Sequence, residues 1–81
     1  MESRVAVISI IVESESAVST LNELLHQYAR FIIGRMGLPY REKGINIISL
    51  VLDAPQTEIS TLSGRIGRLT GVTTKVAYAK V

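Results

Sequence analysis

Eighty-one residues make one domain, 1–81, and a chain of this size buries only roughly 60–65% of the surface its unfolded state exposes, so an isolated monomer is marginal. Hydrophobic residues make up 47% of the chain and aromatics only 5%, so the apolar content is mostly aliphatic. The absence of cysteine excludes a disulfide scaffold and a thiolate site, the lone His26 excludes a multi-histidine metal site within one chain, and a net charge of +2 is too small for a strong nucleic-acid field.

In chain order, Val5 to Val12 is a β-branched run of strand length. Its alternating sets, Val5, Val7, Ser9, Ile11 and Ala6, Ile8, Ile10, Val12, are both largely apolar, which predicts a central strand covered on both sides. The run falls far short of the roughly 20 apolar residues of a membrane helix. Glu13 and Glu15 follow at once without a small-x-small cleavage pattern, so a cytoplasmic chain is expected. Ser14 and Ser16 are placed to accept helix N-terminal amides, and Val18, Leu21, Leu25 and Tyr28 form a helical stripe, which predicts a helix from about Ser16 to Ala29. Phe31-Ile32-Ile33 begins a second strand, which Gly34 and Gly37 bend before a turn at Leu38-Pro39-Tyr40.

Ile45 to Leu52 reads as a third strand, with Ile45, Ile47 and Val51 on one face and Ile48, Leu50 and Leu52 on the other. Pro55 suits the start of a helix whose stripe is Ile59, Leu62, Ile66 and Leu69, and Gly71 suits its C-terminal cap. Val72 to Val81 alternates as a fourth strand, with Val72, Thr74, Val76 and Tyr78 on one face. The order β-α-β-β-α-β predicts an α+β, ferredoxin-like sandwich: a four-stranded antiparallel sheet with two helices on one face. That topology centres the first and third strands, the two that are apolar on both faces. Helices on one side leave an aliphatic patch on the other, which predicts a homo-oligomer, dimer or tetramer, joined through the sheet face or edge strands.

The residues argue against several chemistries. An RNA-recognition sheet stacks bases on aromatics, whereas the third strand carries Ile45, Ile47 and Leu50. Gly34-Arg35-Met36-Gly37 and Gly64-Arg65-Ile66-Gly67 match a G-x-x-G phosphate clamp but do not clearly sit between two helices, so they read as a bend and a close-packed helix face. His26 reads as a solvated helix residue, and Glu13 and Glu15 as residues favouring the helix start. Asn46 would suit an acylphosphatase-like site, but no phosphate-cradling loop with an arginine follows the first strand. No catalytic residue, metal or cofactor is assigned. Arg30, Arg35, Arg41 and Lys43 flank the second strand and form an anion-binding rim with Tyr40, or else a solvated edge that discourages aggregation. The expected ligand contacts are Gly34, Arg35, Gly37, Tyr40 and Arg41, with a small anion as ligand and the glycines admitting close backbone approach.

The string Gly34-Arg35-Met36-Gly37-Leu38-Pro39-Tyr40, with Ile47-Ile48-Ser49-Leu50-Val51-Leu52 and the run Leu62…Gly67…Leu69…Gly71-Val72, resembles the small bacterial family of iron-only hydrogenase system regulators. The resemblance covers nearly the whole chain and implies an ACT-like domain with a regulatory role near hydrogenase maturation. The domain is also similar to the C-terminal sensing part of nickel-responsive repressors, which bind metal through histidines and a cysteine. With no cysteine and only His26, nickel binding does not carry over. Amino-acid-binding ACT domains tend to have a glycine in the turn after the first strand, where this chain has Glu13-Ser14-Glu15-Ser16-Ala17. The expectation is a non-enzymatic regulatory or ligand-sensing module; the alternative is an interaction subunit that docks on a partner enzyme or repressor without binding a small molecule.

Overall fold

The computed structural model describes residues 2–80. Its elements run β1 (Arg4–Val12), α1 (Ser16–Gln27), β2 (Ile32–Tyr40), β3 (Ile45–Ala54), α2 (Gln56–Gly67) and β4 (Val72–Tyr78), with short 3-10 turns at Ala29–Phe31 and Arg41–Lys43. The strands form one antiparallel sheet in the order β2-β3-β1-β4. The two doubly apolar strands are therefore the central ones, as a ferredoxin-like sandwich requires. The predicted end of the fourth strand at Val81 lies outside the described residues.

Register explains where the core sits. Ala6, Ile8 and Ile10 of β1 stand directly opposite Leu52, Leu50 and Ile48 of β3, and all six side chains are buried. Leu21, Leu24 and Leu25 of α1 and Ile59, Leu62 and Ile66 of α2 close over them. Each such aliphatic side chain contributes roughly 1.5–3 kcal/mol on burial. Among the described residues no polar or charged residue is buried in this core. The other face carries the opposite set of each strand. Val7 and Ile11 are 36% and 40% exposed there, with Ile47 and Val51 half-buried beside them.

Three local expectations are corrected. First, Ser14 and Ser16 do not cap α1 with their side chains: their hydroxyls bond each other at 2.8 Å, and the first turn closes through the Ala17 N–H to the Ser14 carbonyl. Second, β2 neither bends at Gly34 and Gly37 nor turns at Leu38-Pro39-Tyr40. It runs to Tyr40 with one bulge between Ile32 and Gly34, and the chain reverses after it through Arg41–Lys43 and Gly44, whose φ is +65°. A proline fits here because β2 is an edge strand, with one side free of ladder bonds. Third, α2 ends at Gly67 with Arg68 as its cap, and Gly71 (φ +78°) instead forms the turn into β4. Gly67 does pack closely, since a Cβ there would lie 3.4 Å from the Thr74 methyl, whereas Gly64 opens to empty space. Among the described residues no helix is long and apolar enough to cross a membrane.

Candidate functional site

The predicted ligand contacts lie on or just after β2, and their faces follow from its pairing with β3. Arg35 stands opposite Leu50, Gly37 opposite Ile48 and Pro39 opposite Asn46, on the side that bears the helices. Gly34, Met36, Leu38 and Tyr40 stand opposite Val51, Ser49, Ile47 and Ile45, on the open side. The five candidates therefore do not form one cluster.

Arg35 and Gly37 do come together. The Arg35 guanidinium donates through Nη2 to Asn22 Oδ1 of α1 at 2.8 Å. Beside this bond lies a cleft of about 220 Å³ lined by Val18, Asn22, Arg35, Gly37, Pro39 and Asn46. A Cβ at Gly37 would meet no atom within 4 Å, so the glycine leaves the cleft open rather than admitting a contact already made. Bound to a neutral amide rather than to a carboxylate, Arg35 keeps its positive charge uncompensated by this partner. A guanidinium with two amides against an apolar floor suits an anionic group carried on a small body.

Arg41 lies elsewhere. With Glu13, Glu15, Pro39 and Asn46 it lines a second cleft of about 590 Å³ at the end of β2, so Pro39 and Asn46 border both. Tyr40 is on the open face with its hydroxyl donating to Glu42 Oε2 at 3.2 Å, and Gly34 lies over Val51, where a Cβ would make ordinary contacts at 3.8 Å. A wide groove of about 1180 Å³ follows α1 past Glu15, Asn22, Glu23, His26 and Asn46. His26 is exposed in it, and among the described residues no group of three His, Cys, Asp or Glu side chains could hold a metal ion. Sequence reasoning missed Asn22, whose place on the polar flank of α1 carries no signal. It weighed Asn46 only for a hydrolase site, although Asn46 borders both clefts beside β2.

A family model described as "TM1266-like: Iron-only hydrogenase system regulator, putative" matches residues 4–76. The solved structure of an uncharacterized protein, TM1266, from Thermotoga maritima is 39% identical, with a TM-score of 0.94 over 98% of this chain and 100% of that one. The chain belongs to the TM1266-like family. Fold relatives of this TM1266-like domain lie further off in sequence. The ACT domain from the GTP pyrophosphokinase of Chlorobium tepidum superposes with a TM-score of 0.67 at 18% identity, over 95% of this chain and 99% of that one. A formyltetrahydrofolate deformylase from Pseudomonas putida KT2440 gives 0.65 at 11% identity, over 90% of this chain and 28% of that one. At such identities the likeness shows the fold, which is ACT-like. No curated protein matches the chain.

Proposed function

We infer that this TM1266-like protein is a non-enzymatic regulatory module of the iron-only hydrogenase system that senses a small anion and works as a homo-oligomer. The regulatory assignment follows the family. The observation that carries the sensing reading is Arg35, held by Asn22 at the mouth of a cleft that Gly37 keeps open, with Arg41 at the neighbouring cleft. A ligand there acts by binding one arrangement of subunits better than another. A thermal-shift screen of anionic metabolites, with Arg35→Ala and Arg41→Ala in parallel, tests the reading. A stabilising anion whose effect is lost in either variant supports it, and stabilisation that survives both removes these clefts.

The second reading is an interaction subunit that binds no small molecule. The apolar open face, with Val7, Ile11, Met36 and Leu38 exposed, favours it. A stoichiometric partner recovered from native extract, together with an empty ligand screen, would decide for it.

A further inference from the structure

The hollows beside α1 and β2 differ in charge. The wide groove along α1 sets His26 among Glu15 and Glu23, and the cleft at the end of β2 sets Arg41 among Glu13 and Glu15. In the Gly37 cleft Arg35 is the one charged side chain among the described residues. A further notch of about 330 Å³ is lined by Asn22, Leu25, His26, Ala29, Ile32 and Arg35. It brings two basic side chains together and, among the described residues, no carboxylate lines it.

Asn22 organises this notch. It stands four residues before His26 on α1, so the two side chains project from one face with Cβ atoms about 5–6 Å apart. Asn22 Oδ1 accepts from Arg35 Nη2 at 2.8 Å, which ties the guanidinium of β2 to the helix. Guanidinium and imidazole therefore flank a single amide, the first always charged and the second charged when protonated. The amide still carries its NH2 group, a third donor beside the two basic groups. Buried Leu25 and half-buried Ile32 give the notch an apolar side, where charge is screened less than in open water.

We propose that this notch takes one tetrahedral oxyanion carrying two charges, gripped by Arg35 and by the protonated form of His26. One guanidinium matches one negative charge, and a second positive group facing the same space matches a second. Protonation and anion binding are then linked. An anion that favours the imidazolium raises the imidazole pKa on binding, and by reciprocity acid pH raises anion affinity by the same factor. That gain is complete below the pKa of the free imidazole and is lost as pH rises through the pKa of the bound one. The other charges around His26 are Glu23 and Glu15 in the α1 groove and Arg30, four residues on, which stacks on Phe31 at 4.5 Å. All three are present with and without a ligand, so the change on binding reports the anion. This inference rests on the anion-sensing reading above and adds the charge class of the ligand and a dependence on pH.

The chain has a single histidine, so its imidazole signals in proton NMR belong to His26 without assignment. Sulfate is the probe, because it keeps both charges across the range in which imidazole titrates. Compared with chloride at equal ionic strength, sulfate is expected to raise the His26 midpoint by about one pH unit. Nitrate, with one charge, is expected to raise it clearly less. In calorimetric titration sulfate is expected to bind about tenfold tighter at about pH 5 than at about pH 8.5, on either side of the ordinary imidazole value of about 6.5. His26→Gln should bind sulfate equally at both pH values, and Arg35→Ala should lose binding at both. Lys75→Gln, on the far strand β4, should keep the parent's pH dependence, which separates the notch from net charge.

A His26 midpoint that sulfate moves no further than chloride does overturns the proposal, and so does a pH dependence that survives His26→Gln. If sulfate still binds through Arg35 in either case, the sensing module stands without His26. Equal effects of sulfate and nitrate overturn the doubly charged ligand class. Sulfate binding that survives Arg35→Ala overturns the notch and leaves the sensing reading to the Arg41 cleft alone. Absence of sulfate binding at both pH values also overturns the notch, and the metabolite screen then decides the sensing reading separately.

Discussion

Gly71 and Ser14 are packed so closely that a Cβ on the glycine would lie 2.7 Å from the Ser14 Cβ. The same contact joins the turn after β1 to the turn before β4, since the Glu13 N–H donates to the Gly71 carbonyl at 2.7 Å. Gly71 is therefore fixed twice, by a φ of +78° and by the lack of room for a side chain.

Gly71→Ala is expected to cost about 2–4 kcal/mol, the left-handed conformation and the overpacking acting together. Gly44→Ala, at a φ of +65° with nothing within 4 Å, isolates the first effect and is expected to cost only about 1–2 kcal/mol. Urea unfolding of both variants checks the difference. Equal losses would mean that Ser14 moves aside freely.

The Thr74 hydroxyl is buried without a hydrogen-bond partner, beneath Gly67 of α2. Thr74→Val replaces it with a methyl group of similar shape and should gain about 1 kcal/mol. For a domain of this size that raises Tm by roughly 4–8 °C. Thr74→Ser keeps the hydroxyl and should show no such rise in a calorimetric scan.

Leu50 is fully buried opposite Ile8 at the centre of the sheet. Leu50→Ala should cost about 2–5 kcal/mol through lost burial and the cavity left behind. A domain this small has about 4–12 kcal/mol in total, so the urea midpoint should fall sharply. A shift of only a few tenths of a molar would show that the helices close over the gap.

Ile11 is exposed on the open face, away from the edge of β2. If two copies pack through that face, Ile11→Glu is expected to lower the particle mass seen in light scattering. A mass unchanged from the parent would show that the open face is not an interface.

The sandwich was legible because the pattern and the topology constrain the same residues. Only central strands need both alternating sets apolar, and β1 and β3 carry them while β2 and β4 do not. The course of β2 was not legible. Gly34, Gly37 and Pro39 are the residues that ordinarily end a strand, and an edge position, which excuses them, is a property of the sheet rather than of the segment. The site was legible in part for the same reason. Arg35 stood out by its charge and its glycine neighbours, but its bond to Asn22 depends on which face it occupies, and local sequence does not specify that face.

The bulge between Ile32 and Gly34 decides that face. Were Ile33 drawn into the ladder opposite Val51, with Ile32 still opposite Leu52, every later residue of β2 would slip one place and turn over, because side chains alternate strictly along a strand. The guanidinium would leave the neighbourhood of α1, while Met36 and Leu38 would rotate in beneath the helices. Deleting Ile33 would instead preserve the observed faces on a flatter ribbon. One supernumerary residue thus separates a margin that turns its guanidinium toward the helices from a purely greasy one, while the interior stays as it is.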